Sequence, residues 1–471
     1  MSRLYIDLTT SVRWRRPPVG IVRVEREFAR YCLEHEPGSV FCEVDGGGIY
    51  RALSARQVRE VLDDAWCKAP TAAAPTPVPQ AGAPTAPTRT RMQRFFDWLA
   101  WWGPRLVPAA VWPLLQDLGR VLVAHHGAWL RHREARRAAA AAAPAATTPT
   151  TSPPTPAAND GAIAPGPDDL FFSIGLQWHH GAIHAWRLKR KTGVRVIEAC
   201  FDTIPIDYPE YAGSARQTFA EHFTLIAHTA NMVFAISNTS AEDLRGFYER
   251  VGVLRQPPIR TVYLATPDVQ ADAPIAALDD AERGALAQAG TGFALYVSTF
   301  ETRKNHRLLL QVWKDLYRER GAACPLLVVV GMFGWGVNDL REEMQASEVF
   351  TAGHILMLHD VSDALLGHLY RQCAFTVFPS FYEGWGLAAT ESLAYGKLAL
   401  VSDVPALREA TQGLCPAMHP LDFPAWRGQI ATWLDDAPAR EAAEARIRAS
   451  YVPRHWRDFA RDLLAAARSL A

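Results

Sequence analysis

Phe378-Pro-Ser-Phe-Tyr-Glu383-Gly-Trp-Gly-Leu-Ala-Ala-Thr-Glu391 is the stretch on which the reading of this chain turns. The apolar run over residues 374–378 has the composition of a buried strand, and a helix is predicted over 389–395. Between them lie Gly384 and Gly386. Glycine lets backbone N–H groups come close to a ligand. The start of a helix adds unpaired N–H groups and a partial positive charge at the same place. That combination suits an anionic diphosphate. Two carboxylates, Glu383 and Glu391, bracket the glycines at a spacing of seven intervening residues. Carboxylates beside a phosphate site need another partner, and sugar or ribose hydroxyls are the natural one.

Outward from this segment the second half of the chain alternates. Strands are expected at 293–298, 326–330, 355–358, 374–378 and 398–402, and helices at 305–318, 339–346, 363–373 and 389–395. The first of these strands runs into Ser298-Thr-Phe-Glu-Thr-Arg303-Lys304-Asn-His306. Arg303 and Lys304 therefore follow a buried strand, precede a helix and point from a strand-end loop. The first half repeats the pattern. Its strands are expected at 4–8, 41–44, 49–53, 170–174, 194–199, 232–236 and 261–264. Its helices are expected at 19–33, 182–191, 215–227 and 240–250, the last with Ser240 as N-cap. Residues 268–289 read as an interdomain segment. Alternating strands and helices imply mainly parallel, doubly wound sheets with ligand loops at the strand C-termini.

The first half is interrupted. Residues 69–90 and 138–167 are rich in Ala, Pro and Thr and read as linkers that bury too little apolar surface to offset their ordering entropy. Between them, residues 91–137 combine Trp98, Trp101, Trp102, Trp112 and Trp129 with Arg91, Arg94, Arg131, Arg133 and others. Two readings stand side by side: a membrane-surface element with Trp at headgroup level and Arg against anionic lipid, or a helical insertion packed on the rest of the chain or on a partner. The expected organisation is a first domain at 1–68 and 169–268, an insertion at 69–168, a second domain at 285–450, and a final helix at 451–471.

Five pieces, in order and at their spacing, resemble the retaining glycosyltransferases of the GT-B type, family 4 (group 1). They are Ser298–His306, Gly331-Met-Phe-Gly-Trp335, His359-Asp-Val-Ser-Asp363 with Leu369 and Tyr370, the Glu-x7-Glu segment, and Ser402-Asp403. The resemblance runs from about residue 293 to 410. It implies an α/β fold of two Rossmann-like domains facing across a cleft, with the last helix crossing back to the first domain. By this resemblance Arg303 and Lys304 bind the diphosphate of a nucleotide-sugar donor. Glu391 takes the donor ribose hydroxyls, Glu383 approaches the transferred sugar, and the backbone around Gly384, Gly386 and Leu387 completes the pocket. Gly20 resembles the glycine loop of the family's first domain, with Arg13, Arg15, Arg16 and Arg23 placed to meet a phosphate-bearing acceptor. Phe201-Asp-Thr-Ile-Pro resembles a His-Asp-x-x-Pro segment in which Phe201 replaces His. Asp202 is then the polar candidate for a catalytic role, and capping a loop or helix is its structural alternative. The implied reaction is transfer, with retention, of a sugar to a glycan or lipid-linked acceptor in surface polysaccharide synthesis. A sugar-nucleotide epimerase on the same fold and a non-catalytic degenerate transferase serving as a scaffold are the alternatives.

Composition narrows the field. At 471 residues the chain is long enough for two or three domains, and 49% hydrophobic residues supply their cores. Lys plus Arg equal Asp plus Glu at 49 each, which argues against a general nucleic-acid binder. Seven scattered cysteines without a C-x-x-C pair fit a reducing compartment and no zinc site. Met1-Ser-Arg-Leu-Tyr-Ile leads into a strand, not a signal peptide, and no apolar run is long enough to span a membrane. The expected location is the cytoplasm, with peripheral contact at the inner membrane face through residues 91–137. No D-x-D pair occurs, so no metal or other cofactor is expected. His179, His180 and His184 read as loop or acceptor-side residues near Gln177 and Trp178.

Overall fold

The computed structural model describes residues 2–15, 20–63, 161–176, 178, 181–212, 215–266, 269, 274–334 and 336–470. The insertion expected at 69–168, with its Trp- and Arg-rich stretch 91–137, falls almost wholly outside the described residues. Arg16, Gln177, His179, His180 and Trp335 also lie outside them.

The fold is α/β with two Rossmann-like parallel sheets, as expected. The first contains β1 (Leu4–Asp7), β2 (Val40–Val44), β3 (Tyr50–Ala52), β4 (Leu170–Ser173), β5 (Arg195–Cys200), β6 (Met232–Ala235) and β7 (Ile259–Thr261). Their spatial order is β3-β2-β1-β4-β5-β6-β7. All neighbours are parallel except β2 and β3. The second contains β8 (Ala294–Val297), β9 (Leu327–Val330), β10 (Ile355–Leu358), β11 (Phe375–Phe378), β12 (Ala399–Ser402) and β13 (Ala417–Met418). Its order is β10-β9-β8-β11-β12-β13, parallel throughout.

The strands are apolar on both faces because helices cover both faces. In β9, Leu327 and Val329 join a core around Trp313, while Val328 and Val330 join another around Leu369 and Tyr370. Each sheet also has a switch point where successive connections depart in opposite directions: between β1 and β4 in the first, between β8 and β11 in the second. Ligands bind in the crevice outside the strand C-termini at such points. β8 and β11 pair in register at Phe375↔Ala294 and Thr376↔Leu295. The loops that leave their C-terminal ends, one with Arg303 and Lys304 and the other with Glu383, are therefore neighbours.

The helix Trp456–Arg468 lies in the core of the first domain, where Phe459, Leu463 and Leu464 pack with Val24, Phe28 and Phe234. Thr266 N–H donates to the Arg454 carbonyl at 2.8 Å where the chain returns.

Four local expectations are corrected. The helix Asn238–Arg250 is capped by Ser237, whose hydroxyl accepts from Ser240 N–H at 2.9 Å. Ser240 is a helix residue, and its own hydroxyl donates to the Phe201 carbonyl at 2.9 Å. The strand expected at 261–264 forms at Ile259–Thr261, because its register follows β6, with Val233 opposite Ile259. The segment 268–289 ends in a real helix, Asp280–Ala289, held by a capping box between Asp279 and Glu282. Finally, the chain rejoins the first sheet before residue 169: Ile163 N–H donates to Tyr50 at 3.0 Å and Ala52 N–H to Gly161 at 2.9 Å.

Candidate active site

A cavity of about 410 Å³ opens between the two sheets, lined by Gly20, Arg23, Asp202, Lys304, Glu383, Gly384, Gly386, Leu387 and Glu391 among others. Residues from positions 20 to 391 thus converge on one space.

Glu383 is its electrostatic centre. One carboxylate oxygen accepts from Arg303 Nη1 at 2.7 Å and the other from Lys304 Nζ at 2.6 Å. Only 8% of the residue is exposed. Burial alone raises a carboxyl's pKa, yet here Arg303 and Lys304 outweigh it and hold the group at about 2. Arg303 also donates to the Tyr382 carbonyl at 2.8 Å, and its pKa is raised because Glu383, Glu301 and Asp202 offset the penalty of burial. Lys304 is lowered by burial and by the neighbouring Arg303, so it is the weaker of the two cations. The loop carrying both is fixed by Asn305, which adopts the left-handed region (φ 55°). Its amide donates to Pro379 at 3.1 Å and Pro420 at 2.9 Å.

Glu391 lies in the second turn of the helix Leu387–Ala394. It accepts from Tyr370 Oη at 3.0 Å and from Arg23 Nη1, of the first domain, at 3.4 Å. Burial pushes its carboxyl up, with Arg23 and Tyr370 opposing. Gly386 precedes the helix with φ 121°, a conformation open to glycine and strained for other residues. Gly384 serves another need: a Cβ there would sit 2.3 Å from the Phe201 carbonyl, so the glycine loop touches the first domain through bare backbone.

Asp202 accepts from Ile204 N–H at 3.1 Å, a capping contact, and still lines the cavity. Burial raises its carboxyl while Arg303 lowers it. Phe201 packs edge-on against Phe234 at 6.3 Å, so this side chain belongs to the core. Gly20 (φ 49°) opens the helix Gly20–His35 at the cavity wall. Of the arginines expected around a phosphate-bearing acceptor, Arg13 turns away to the Val44 carbonyl at 2.9 Å and Arg23 reaches Glu391 and Asp363. His306 is a core residue against Phe300 at 4.1 Å and Tyr296 at 4.6 Å, and burial lowers its imidazole to about 3. Among the described residues no group of three His, Cys, Asp or Glu side chains is placed to hold a metal, and no helix is long and apolar enough to cross a membrane.

Sequence reasoning missed two parts of the site. One is the clasp between domains, in which Glu409 accepts from Asn238 N–H at 2.8 Å and Thr239 N–H at 2.9 Å, and Tyr382 Oη donates to Asp243 at 2.7 Å. The other is a second pocket behind Asp202. Neither has a local signal, since each pairs segments far apart in the chain.

With this geometry in place, the comparison with known proteins is direct. Residues 280–446 match the family model of glycosyl transferases group 1. The resemblance read from residues 293–410 is borne out for that stretch. The matched residues include Arg303, Lys304, Glu383 and Glu391. The O-antigen chain mannosyltransferase B of Escherichia coli is 36% identical over 155 residues, 33% of this chain and 40% of that protein. The serotype-specific mannosyltransferase WbdA of Escherichia coli is 27% identical over 222 residues, 45% of this chain and 27% of that protein. The chain thus spans between a quarter and two-fifths of the length of these relatives. Anabaena HepE, solved in complex with UDP, shares the fold over 100% of both chains, with a TM-score of 0.53 and 12% identity.

Proposed function

We propose that this chain transfers a sugar, with retention, from a nucleotide-sugar to a hydroxyl of a glycan or lipid-linked acceptor. The observation that carries the reading is the convergence of Lys304, the N-terminus of the helix Leu387–Ala394 and the carboxylates Glu383 and Glu391 on one cavity, with Arg303 bonded to Glu383 from outside that lining. Breaking the sugar–diphosphate bond builds negative charge on the leaving group. Fixed N–H donors and cations aimed at that charge lower the barrier without reorganisation. Lys304 and the helix N-terminus face the diphosphate, Glu391 the ribose, and Glu383 the transferred sugar. Asp202, at the junction of the two domains, lies nearest the path of the acceptor. Glu383 is a poor covalent nucleophile, since both its oxygens are engaged by cations. The retaining route is therefore front-face displacement, in which the departing phosphate helps to deprotonate the acceptor hydroxyl. Closed domains exclude water and limit hydrolysis. The two Escherichia coli relatives are named as mannosyltransferases, which puts a mannosyl donor first among those to try. Surface polysaccharide synthesis at the inner membrane face is the setting proposed.

A thermal-shift panel of GDP-, UDP-, dTDP- and ADP-sugars tests this. One nucleotide should stabilise the protein, by about 2.7 kcal/mol at a hundredfold excess over Kd, and the Glu391→Ala variant should lose the effect. Absence of a shift with every nucleotide would overturn the reading. Turnover of the donor without acceptor to an epimeric nucleotide-sugar would replace it with the epimerase.

A further inference from the structure

Behind Asp202 lies a second cavity, of about 310 Å³, within the usual range for small-molecule sites. It shares Ile21, Phe201 and Asp202 with the cavity that holds Glu383 and Glu391. One wall is aromatic: Trp178 lies over Phe219 at 4.9 Å and meets His222 edge-on at 6.5 Å. The floor is polar and formed by Ser173, the last residue of β4, and its register partner Glu198 on β5, one strand over from the switch point of the first sheet.

The floor has unused hydrogen-bonding capacity. Glu198 is 1% exposed, and its Oε1 has no hydrogen-bond partner. His222 Nδ1 is buried and also without one. Buried polar atoms of folded proteins are almost always paired, so a cluster of open ones at a cavity floor calls for a ligand. Burial and the Asp7 carboxylate push Glu198 up, and burial lowers His222 to about 4, leaving a neutral ring. Among the described residues lining this cavity, the one fixed cation is Arg303, and it is already engaged by Glu383 and Glu301.

We propose that this cavity holds the acceptor's terminal sugar and that its lining, which offers hydrogen-bonding groups but no uncommitted cation, makes it selective for an uncharged, hydroxyl-bearing ring over a phosphorylated or uronate one. The inference rests on the glycosyl-transfer reading and reverses the expectation of a phosphate-bearing acceptor. The aromatic wall takes the C–H face of the ring. Glu198 and His222 take its hydroxyls. An anionic substituent would lie near Asp202 and Glu301 with no uncommitted cation among the described lining residues to receive it.

The test is saturation-transfer NMR on the full chain with the nucleotide diphosphate present. The probes are methyl α-pyranosides of mannose, glucose and galactose against mannose 6-phosphate, glucose 6-phosphate and glucuronate. At least one neutral glycoside should bind tenfold or more tightly than its anionic counterpart. Glu198→Leu should lose that binding tenfold or more while nucleotide stabilisation stays at the wild-type level. Trp178→Ala, at the rim, should do the same and covers the case in which Glu198→Leu does not fold. Equal binding of neutral and anionic sugars, binding of none, or undiminished sugar binding in a folded variant would overturn the proposal. Sugar binding without any nucleotide binding would instead remove the transferase reading and leave the pocket standing.

Discussion

Replacing Glu383 with glutamine isolates the charge cluster at the centre of the cavity. A carboxyl held at about 2, against an ordinary 4.5, contributes about 3 kcal/mol to the folded state at neutral pH. Removing one member of a buried ion pair is independently expected to cost about 3–5 kcal/mol. Both routes give a similar figure, and the side chain is only 10% exposed, so solvent screening removes little of it. For a domain of this size, 3 kcal/mol corresponds to a fall of roughly 6–12 °C in melting temperature. The sign with pH is fixed. The depressed pKa means that the contribution is fully present above about pH 4.5 and is lost as pH falls towards 2. The gap between wild type and Glu383→Gln should therefore be constant from pH 7 to about 4.5 and narrow below. The variant leaves Arg303 and Lys304 short of an anion, so a nucleotide diphosphate should stabilise it by more than it stabilises the wild type. Differential scanning fluorimetry across pH, with and without the nucleotide, reads all three effects. A variant that melts within about 1 °C of wild type at pH 7, or gains no more from nucleotide, would refute the charge argument.

Three further outcomes are expected. Glu409→Ala removes the carboxylate that caps Asn238 and Thr239 across the domain boundary; hydrogen exchange at residues 237–243 should rise at least tenfold, and unchanged protection would mean that the clasp is held elsewhere. Gly384→Ala places a Cβ 2.3 Å from the Phe201 carbonyl; transfer should fall at least a hundredfold, and near-normal turnover would show that domain contact at this loop is dispensable. Burial raises the Asp243 carboxyl to about 6, so its favourable contribution is present below pH 3.8 and lost as pH rises through 6. Asp243→Asn keeps the Tyr382 contact and should stabilise the protein at pH 7–8 by about 1–2 kcal/mol after allowance for solvent, with no gain at pH 4; urea unfolding at the two pH values checks it.

Much of the second domain was legible because its signals are local. A four-residue apolar strand, a glycine pair and a helix start sit within residues 374–395, and the polar residues of that stretch have nowhere to go but the strand-end crevice. Signals that depend on partners were less legible. Ser240 reads as an N-cap by composition, yet Ser237, one turn earlier, takes the role because Ser240 faces the Phe201 carbonyl. The last strand of the first sheet shifts by two residues because β6, not its own hydrophobicity, sets its register. Glu198 falls inside a strand that reads as buried and apolar, and its neighbours Ser173, Trp178 and His222 come from three other segments. Arg23 and Glu391 meet across 368 residues of sequence, beyond the reach of any pattern read along the chain.

The return of the helix Trp456–Arg468 onto the Gly20–His35 helix also sets the order in which this protein can be made. A ribosome finishes every other strand and helix of the first domain by about residue 264, yet one wall of its core does not exist until residue 468 has emerged. Leu463, Leu464 and Phe459 fill ground between Val24, Phe28 and Phe234, so that ground stays open while the whole second domain is synthesised and folds. Domains generally fold in order of synthesis; here the core of the first domain is finished only by a helix made after the second. The nascent chain thus carries a half-open apolar face through some two hundred residues of elongation, a stretch in which a chaperone's grip would count for more than at any later time.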